Sequence, residues 1–341
     1  MHVLGIETSC DETSAAIVKD GRRILSCEVS SSLNFHRKFG GVIPEIASRM
    51  QLETIACVVD SAVKEARRSL KDIKLVSVTS GPGLLGSLLV GISFAKSLSL
   101  SLEVPLLGVN HIYSHIYACF LNNTALPLPC VALVVSGGHT SLFYVEDFTR
   151  IKLLGSTLDD ACGEAFDKVA KILGLGYPGG PCIEKISQKG NPKRIKFGCS
   201  GTKNPLDFSF SGIKTAVLYY VRRLAGSPVS QLQNRQTGKQ ANRQTADIAA
   251  SFQETVINTL VKKSLLACEM KKVDRLLVGG GVAANSRLRE RFYQEAKKNN
   301  LNVYFPAKEL CIDNAAMVAG LGYQLFRKGR SSGLDLSAEL N

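Results

Sequence analysis

The feature that most constrains this chain is that it repeats itself. VLGIETSCDETSAAIVKDGRRILSCEVS from Val3 and VALVVSGGHTSLFYVEDFTRIKLLGST from Val131 share one layout: an apolar strand, a Gly/Ser/Thr turn, an alternating strand, a charged turn and a third strand. Thr13-Ser14 in the first copy answers to Thr140-Ser141 in the second. Further on, LVSVTSGPGLLGSLLVGISFAKSLSL and RLLVGGGVAANSRLRERFYQEA each read as a buried strand, a glycine turn and a helix. Last, the strand VPLLGVN enters one helix while NVYFPA leads toward another. Two α/β halves follow, each a mixed sheet flanked by helices, with a cleft between them. The first half is expected over residues 1–125 and the second over 126–328, with a helical insertion at 160–245. The linker NNTALPLP (122–129) lies at their boundary, the stretch 226–243 reads as a mobile surface insertion without apolar period, and 329–341 as a flexible tail.

With 45% hydrophobic residues in 341, each half can bury a core. Met1 leads directly into strand-like VLGI, so no signal peptide is expected. The apolar window GLLGSLLVGISFAKSLSL carries Lys96 and follows a Gly-Pro-Gly turn, which reads as a buried helix and not a membrane span. Ten scattered cysteines form no CxxC pair, so neither a zinc ribbon nor a disulfide framework is indicated, and reduced thiols in a cytoplasm fit best. A net charge of +13, with basic runs at 185–203 and 271–298, favours polyanionic partners; a merely basic surface is the other reading.

The chemistry is concentrated in a few places. His111 and His115, in NHIYSH, are spaced i and i+4 and so share one helical face; Asp313, in CIDNAAM, stands in the answering element of the other half. Brought together at the cleft, two imidazoles and a carboxylate would make a three-ligand metal site with open positions. The zincin pattern HExxH is missing its glutamate, because Ile112 follows His111, so a metalloprotease would lack its base. Asp11 and Glu12, in the turn GIETSCDET, could orient a cation or take a proton, although an ordinary hairpin explains the same residues. Val134, Val135, Ser136, Gly137 and Gly138 in VVSGG offer a second backbone turn to a phosphate. The triple glycine before Asn285 leaves room for a base or ribose, and Asn285 can also simply cap the next helix. Asp167, with Gly180 beyond it, could meet ribose hydroxyls or merely complement a helix dipole.

Together, GIETSCDET, GGVIPEIASR, SGPGLLGSLLVG, NHIYSH, LVVSGGHT, GEAFDKVAKILGLGYPGGP, DFSFSGIKT, GGGVAANSRLR and CIDNAAM resemble, in order and over nearly the whole chain, the tRNA N6-adenosine threonylcarbamoyltransferase family. That resemblance implies the duplicated actin-like ATPase (ASKHA) fold shared with hexokinase and heat-shock chaperone ATPases. It further implies transfer of threonylcarbamoyl from its adenylate to N6 of the adenosine 3′ of the anticodon. By motif position, His111, His115 and Asp313 would hold one divalent metal ion per subunit, iron before zinc. Val134 to Gly138, Asp167, Gly180 and Asn285 would hold the adenine nucleotide, and Asp11 or Glu12 would assist the attacking amine. Implied partners are tRNA, a paralogous actin-like helper subunit and a small P-loop ATPase, with no membrane. Glu184 departs from the short or Asp side chain of many relatives near the ribose. A small-molecule kinase of the same superfold is the competing enzyme class, and would have no need of the two histidines.

Overall fold

The computed structural model describes residues 1–122, 126–225 and 239–339. They form two compact units. Unit 1 comprises Met1–Leu128, Glu146–Ile151 and Pro306–Asn341, and unit 2 comprises Pro129–Val145 and Lys152–Phe305.

Unit 1 is built on strands β1 (His2–Glu7), β2 (Glu12–Lys19), β3 (Arg23–Ser31), β4 (Ile73–Gly81) and β5 (Leu106–Asn110), in the order β3-β2-β1-β4-β5. β1 pairs antiparallel with β2 and parallel with β4. Unit 2 uses β6 (Cys130–Val135), β7 (Thr140–Asp147), β8 (Arg150–Ser156), β9 (Arg275–Gly279) and β10 (Asn302–Tyr304), in the order β10-β9-β6-β7-β8. β6 is antiparallel to β7 and parallel to β9, so the second sheet repeats the first strand for strand. The hairpins even share a register: Glu7 faces Ser14 as Val134 faces Ser141, leaving turns of equal length.

The helices cover these sheets for reasons visible in their spacing. Between β3 and β4 the chain forms a short helix α1 (Leu33–His36) and then α2 (Pro44–Glu65), which starts on a proline, where the missing N–H costs nothing. α2 places Ile55, Val58, Val59 and Ala62 against the core of Leu4, Ile6, Ala15 and Val76. α3 (Leu85–Leu102) turns Leu88, Ile92 and Ala95 inward at i, i+4 and i+7, while Leu85, Leu89 and Leu100 remain exposed. The expectation of a buried helix thus holds for one face. By length and composition α3 is also apolar enough to cross a membrane. In unit 2 follow α5 (Cys162–Ile172), α6 (Gly179–Ser187), α7 (Ser211–Ala225), α8 (Lys239–Lys271) and α9 (Ser286–Lys298); α4 and α10 belong to unit 1 and are placed below. The expected insertion at 226–243 lies largely outside the described residues, and from Lys239 the chain is helical.

Two boundaries differ from the sequence reading. The last helix, α10 (Ala315–Arg327), was expected to complete the second half, but it packs on β1, β2 and β4 of unit 1. Small residues permit this: a Cβ on Gly5 would fall 2.1 Å from the Ala315 carbonyl oxygen. From Ala315 to Gly322 every residue of α10 is buried, which local periodicity attributes to a core without saying which. The expected flexible tail is likewise engaged. Ser332 N–H donates to Leu106 O at 2.8 Å and its hydroxyl accepts from Gly108 N–H at 3.0 Å, so the tail satisfies part of the open edge of β5. Further on, Glu339 N–H donates to Ser80 O at 2.7 Å, and Leu336 packs on the unit 1 core.

Candidate metal centre and glycine loops

β5 passes without a loop into α4 (His111–Tyr117) because Asn110 caps it, its Oδ1 accepting from Tyr113 N–H at 3.1 Å. His111 is therefore the first helical residue and His115 lies one turn on, with ring centroids 4.7 Å apart. Asp313 sits just before α10, whose cap Asn314 accepts from Met317 N–H at 3.1 Å. Ser14 of β2 fixes the same helix start, its hydroxyl accepting from Ala315 N–H at 2.9 Å. These anchors bring Asp313 Oδ1 to 3.1 Å from His115 Nε2 and 3.6 Å from His111 Nε2. One ligand atom from each residue lies within 4.8 Å of the other two. The cluster forms wholly inside unit 1, so the carboxylate is not supplied by the second half as the repeat suggested.

His115 tests whether the group fits a cation. Its side chain is fully buried, and among the described residues neither ring nitrogen makes a hydrogen bond; the 3.1 Å approach to Asp313 lacks the geometry of one. An unsatisfied buried imidazole costs ~1–3 kcal/mol, a cost that a cation at the common point removes. Two imidazoles and a carboxylate with open positions suit ferrous iron or zinc.

Behind His111 is a residue the sequence reading left out. Glu7, at the end of β1 and fully buried, places Oε2 3.1 Å from His111 Nδ1. The Glu7 carboxylate accepts from Ser9 N–H at 2.6 Å and from the Thr79 hydroxyl at 2.6 Å. A carboxylate there holds the proton on Nδ1 and turns the Nε2 lone pair toward the cluster, as around metal-bound histidines generally. Burial opposes the His111 cation, but Glu7 and Asp313 outweigh it and raise its pKa to about 9. Burial also opposes ionisation of Glu7, whose pKa is nevertheless held below the ordinary carboxylate range by His111.

Asp11 closes the β1–β2 turn and Glu12 opens β2, beside this cluster. The turn is pinned from α2, where Gln51 Nε2 donates to Cys10 O at 2.8 Å and to Glu12 O at 2.9 Å. Glu12 is partly buried; its desolvation, with the nearby charges of Asp313 and Asp11, pushes its carboxyl up to about 9. Without a cation it is therefore protonated at neutral pH.

Unit 2 gathers the remaining expected residues. Val134 and Val135 end β6, and Ser136, Gly137 and Gly138 form the turn, closed by Ser136 N–H donating to His139 O at 2.8 Å. The start of α5 is held against this turn by Gly163 N–H donating to Ser136 O at 3.0 Å. Gly280, at φ +90°, approaches so closely that a Cβ would lie 2.5 Å from Val135 O. Asp167 Oδ1 accepts from Gly179 N–H at 2.6 Å, so Asp167 orders the turn before α6. Its burial raises its pKa. Asn285 is the N-cap of α9, accepting from Leu288 N–H at 2.9 Å and donating to Gln253 at 3.0 Å. Glu184 accepts from Ser286 N–H at 2.8 Å, which gives this departure from the family pattern a structural role.

Four glycines here have no internal reason to be glycine. A Cβ on Gly137, Gly138, Gly180 or Gly281 would meet no heavy atom within 4 Å among the described residues, and none has a positive φ. Neither backbone conformation nor packing excludes a side chain there, so these turns leave open space beside their backbone. A flat or anionic ligand lying against backbone N–H groups needs such space.

Comparison with known proteins bears on these two sites. Among solved structures, full-length HypF in its phosphate- and nucleotide-bound form superposes with a TM-score of 0.61 at 14% identity, over 97% of this chain and 47% of that one. The activator of 2-hydroxyisocaproyl-CoA dehydratase from Clostridium difficile gives 0.53 at 15% identity, over 96% and 97%. These establish the fold, an actin-like ATPase α/β architecture. A tRNA N6-adenosine threonylcarbamoyltransferase of Clostridium kluyveri is 48% identical over 340 residues, covering 99% of this chain and 96% of the relative. One from Symbiobacterium thermophilum is 50% identical over 336 residues, covering 98% and 95%. The family model described as tRNA N6-adenosine threonylcarbamoyltransferase matches residues 23–320, and with these identities along nearly the full length the chain belongs to that family.

Proposed function

We propose that the chain transfers the threonylcarbamoyl group of threonylcarbamoyl-adenylate to N6 of the adenosine 3′ of the anticodon, in tRNAs reading codons that begin with adenine, and releases AMP. The observation that carries the metal-assisted form of this reading is the convergence of His111, His115 and Asp313 on one point with His115 otherwise partnerless. The substrate is a mixed anhydride and already activated, so catalysis consists mainly of positioning and charge stabilisation. Val134 to Gly138, Asp167, Gly180 and Asn285 are assigned to the AMP part, with turn N–H groups facing phosphate and the open glycines admitting base and ribose.

His111, His115 and Asp313 would hold iron or, second, zinc, which when bound supplies Lewis acidity to the carbamoyl or phosphate oxygens. Glu7 keeps His111 in the ligating tautomer. As N6 forms its bond to the carbamoyl carbon, the bond from that carbon to the phosphate oxygen breaks and AMP departs. The attacking amine must lose a proton, and Asp11 or Glu12 is assigned to receive it. A positive charge at the trio would lower the Glu12 pKa from about 9 and free its carboxylate for this. A paralogous helper subunit and a small P-loop ATPase are the proposed partners, with tRNA as acceptor in the cytoplasm.

Reconstitution with tRNA and preformed threonylcarbamoyl-adenylate, with and without added partners, tests the reading. Threonylcarbamoylated tRNA and AMP in equal amounts are expected. ATP hydrolysis stimulated by a small molecule, with full activity in His111→Ala, would instead establish the kinase alternative.

A further inference from the structure

Unit 2 carries a groove of about 530 Å³ between the segment around Phe197 and one face of α7, lined by none of the residues assigned to the adenylate. Its lining includes Arg194, Lys196 and Arg223 but no acidic side chain. Some other cations of unit 2 are ion-paired, Lys168 with Asp160 and Glu164 and Arg287 with Glu254. These three make no ion pair among the described residues. Between them stand aromatic rings. Tyr220 is flanked by Phe197 at 5.9 Å, edge to face, and by the Arg223 guanidinium at 5.4 Å, which fix its orientation. Tyr219 has no such ring or cation partner among the described residues and is 63% exposed, so its face is open to a ligand.

Unpaired cations alternating with a presented aromatic face match the chemistry of unstacked RNA, whose bases stack on rings while its phosphates meet Arg and Lys. An acidic peptide would use the cations but leave Tyr219 without a role. We propose that this groove is a second docking site for the acceptor tRNA, in which Tyr219 stacks a looped-out base and Arg194, Lys196 and Arg223 contact the flanking phosphates. The inference rests on the tRNA-acceptor reading and adds to it a surface that binds RNA without touching the reacting adenosine.

The test is fluorescence anisotropy of the full chain on an unmodified substrate tRNA transcript over a range of salt concentrations. Arg194→Gln combined with Arg223→Gln is expected to weaken binding and flatten the salt dependence by about 1.4 in the log–log slope, roughly 0.7 per lost phosphate contact. Tyr219→Ala is expected to weaken binding about fivefold or more with the slope unchanged, and Tyr219→Phe to retain it. Retained metal content and adenylate binding identify each variant as folded. Wild-type affinity and slope in all the variants would overturn the groove while leaving the acceptor reading intact. Unchanged tRNA binding with lost binding of a polyglutamate peptide would overturn it in favour of an acidic protein. A wild-type chain that binds no tRNA, either alone or with the helper subunit and the ATPase added, would overturn both readings.

Discussion

Glu7 shows how much of a site can rest on one side chain that would touch no substrate. It is a buried carboxylate that accepts from the Ser9 N–H and the Thr79 hydroxyl and faces His111 Nδ1. Glu7→Gln keeps the volume and removes the charge, so it should weaken metal binding about 10–100-fold, read by competition with a chelator. Unchanged affinity would remove Glu7 from the site. The pH behaviour follows from the same residues. In metal-free protein, His111 and Glu12 both have folded pKa values of about 9, above their unfolded values. A raised folded pKa gives stability that is fully present below the unfolded value and lost as pH rises through the folded one. The thermal midpoint of metal-free protein should therefore fall as pH rises from 6.5 to about 9, while metal-loaded protein falls less. Metal affinity should rise over the same interval, because a ligand must lose its proton to bind. The signal for Glu7 in the sequence was an acid closing an apolar strand, at a place where the repeat has Val134. Local pattern reads that as a strand end; only β4 and α4 folded beside it reveal the role.

Among the elements, α10 decides whether the metal centre exists. It carries Asp313 just ahead of its first turn and reaches β1 because Gly5 admits the Ala315 carbonyl. Gly5→Ala places a methyl against backbone that cannot yield cheaply, so destabilisation of about 1–3 kcal/mol is expected by denaturant titration, with metal loss alongside. Normal stability with normal metal content would show that the fit at Gly5 is loose. The glycine turns of unit 2 predict the opposite behaviour. Gly138→Ala meets open space, so stability should stay within about 0.5 kcal/mol while adenylate affinity falls, measured by calorimetry. Strands and glycine turns were legible in the sequence because period and turn chemistry are local. The packing of α10 was not, since an all-round apolar helix indicates burial without indicating the neighbour.

At the scale of the whole molecule, the duplication read from the sequence is present as two sheets with one strand order and one hairpin register. What the repeat did not convey is an exchange: the C-terminal segment leaves its own copy and completes the first, bringing α10 and the tail to unit 1. The metal trio is thus a property of one unit and the open glycine turns a property of the other. His111 and His115 were recognisable because four residues on a helix bring side chains together; Asp313 was recognisable only by its place in the repeat, and for that reason was assigned to the wrong unit. The central claim is that these three residues form the metal site on which transfer depends. The most direct measurement is elemental analysis of purified Asp313→Ala beside wild type: about one metal ion per wild-type chain and a large deficit in the variant are expected. Full metal content in Asp313→Ala would contradict the account.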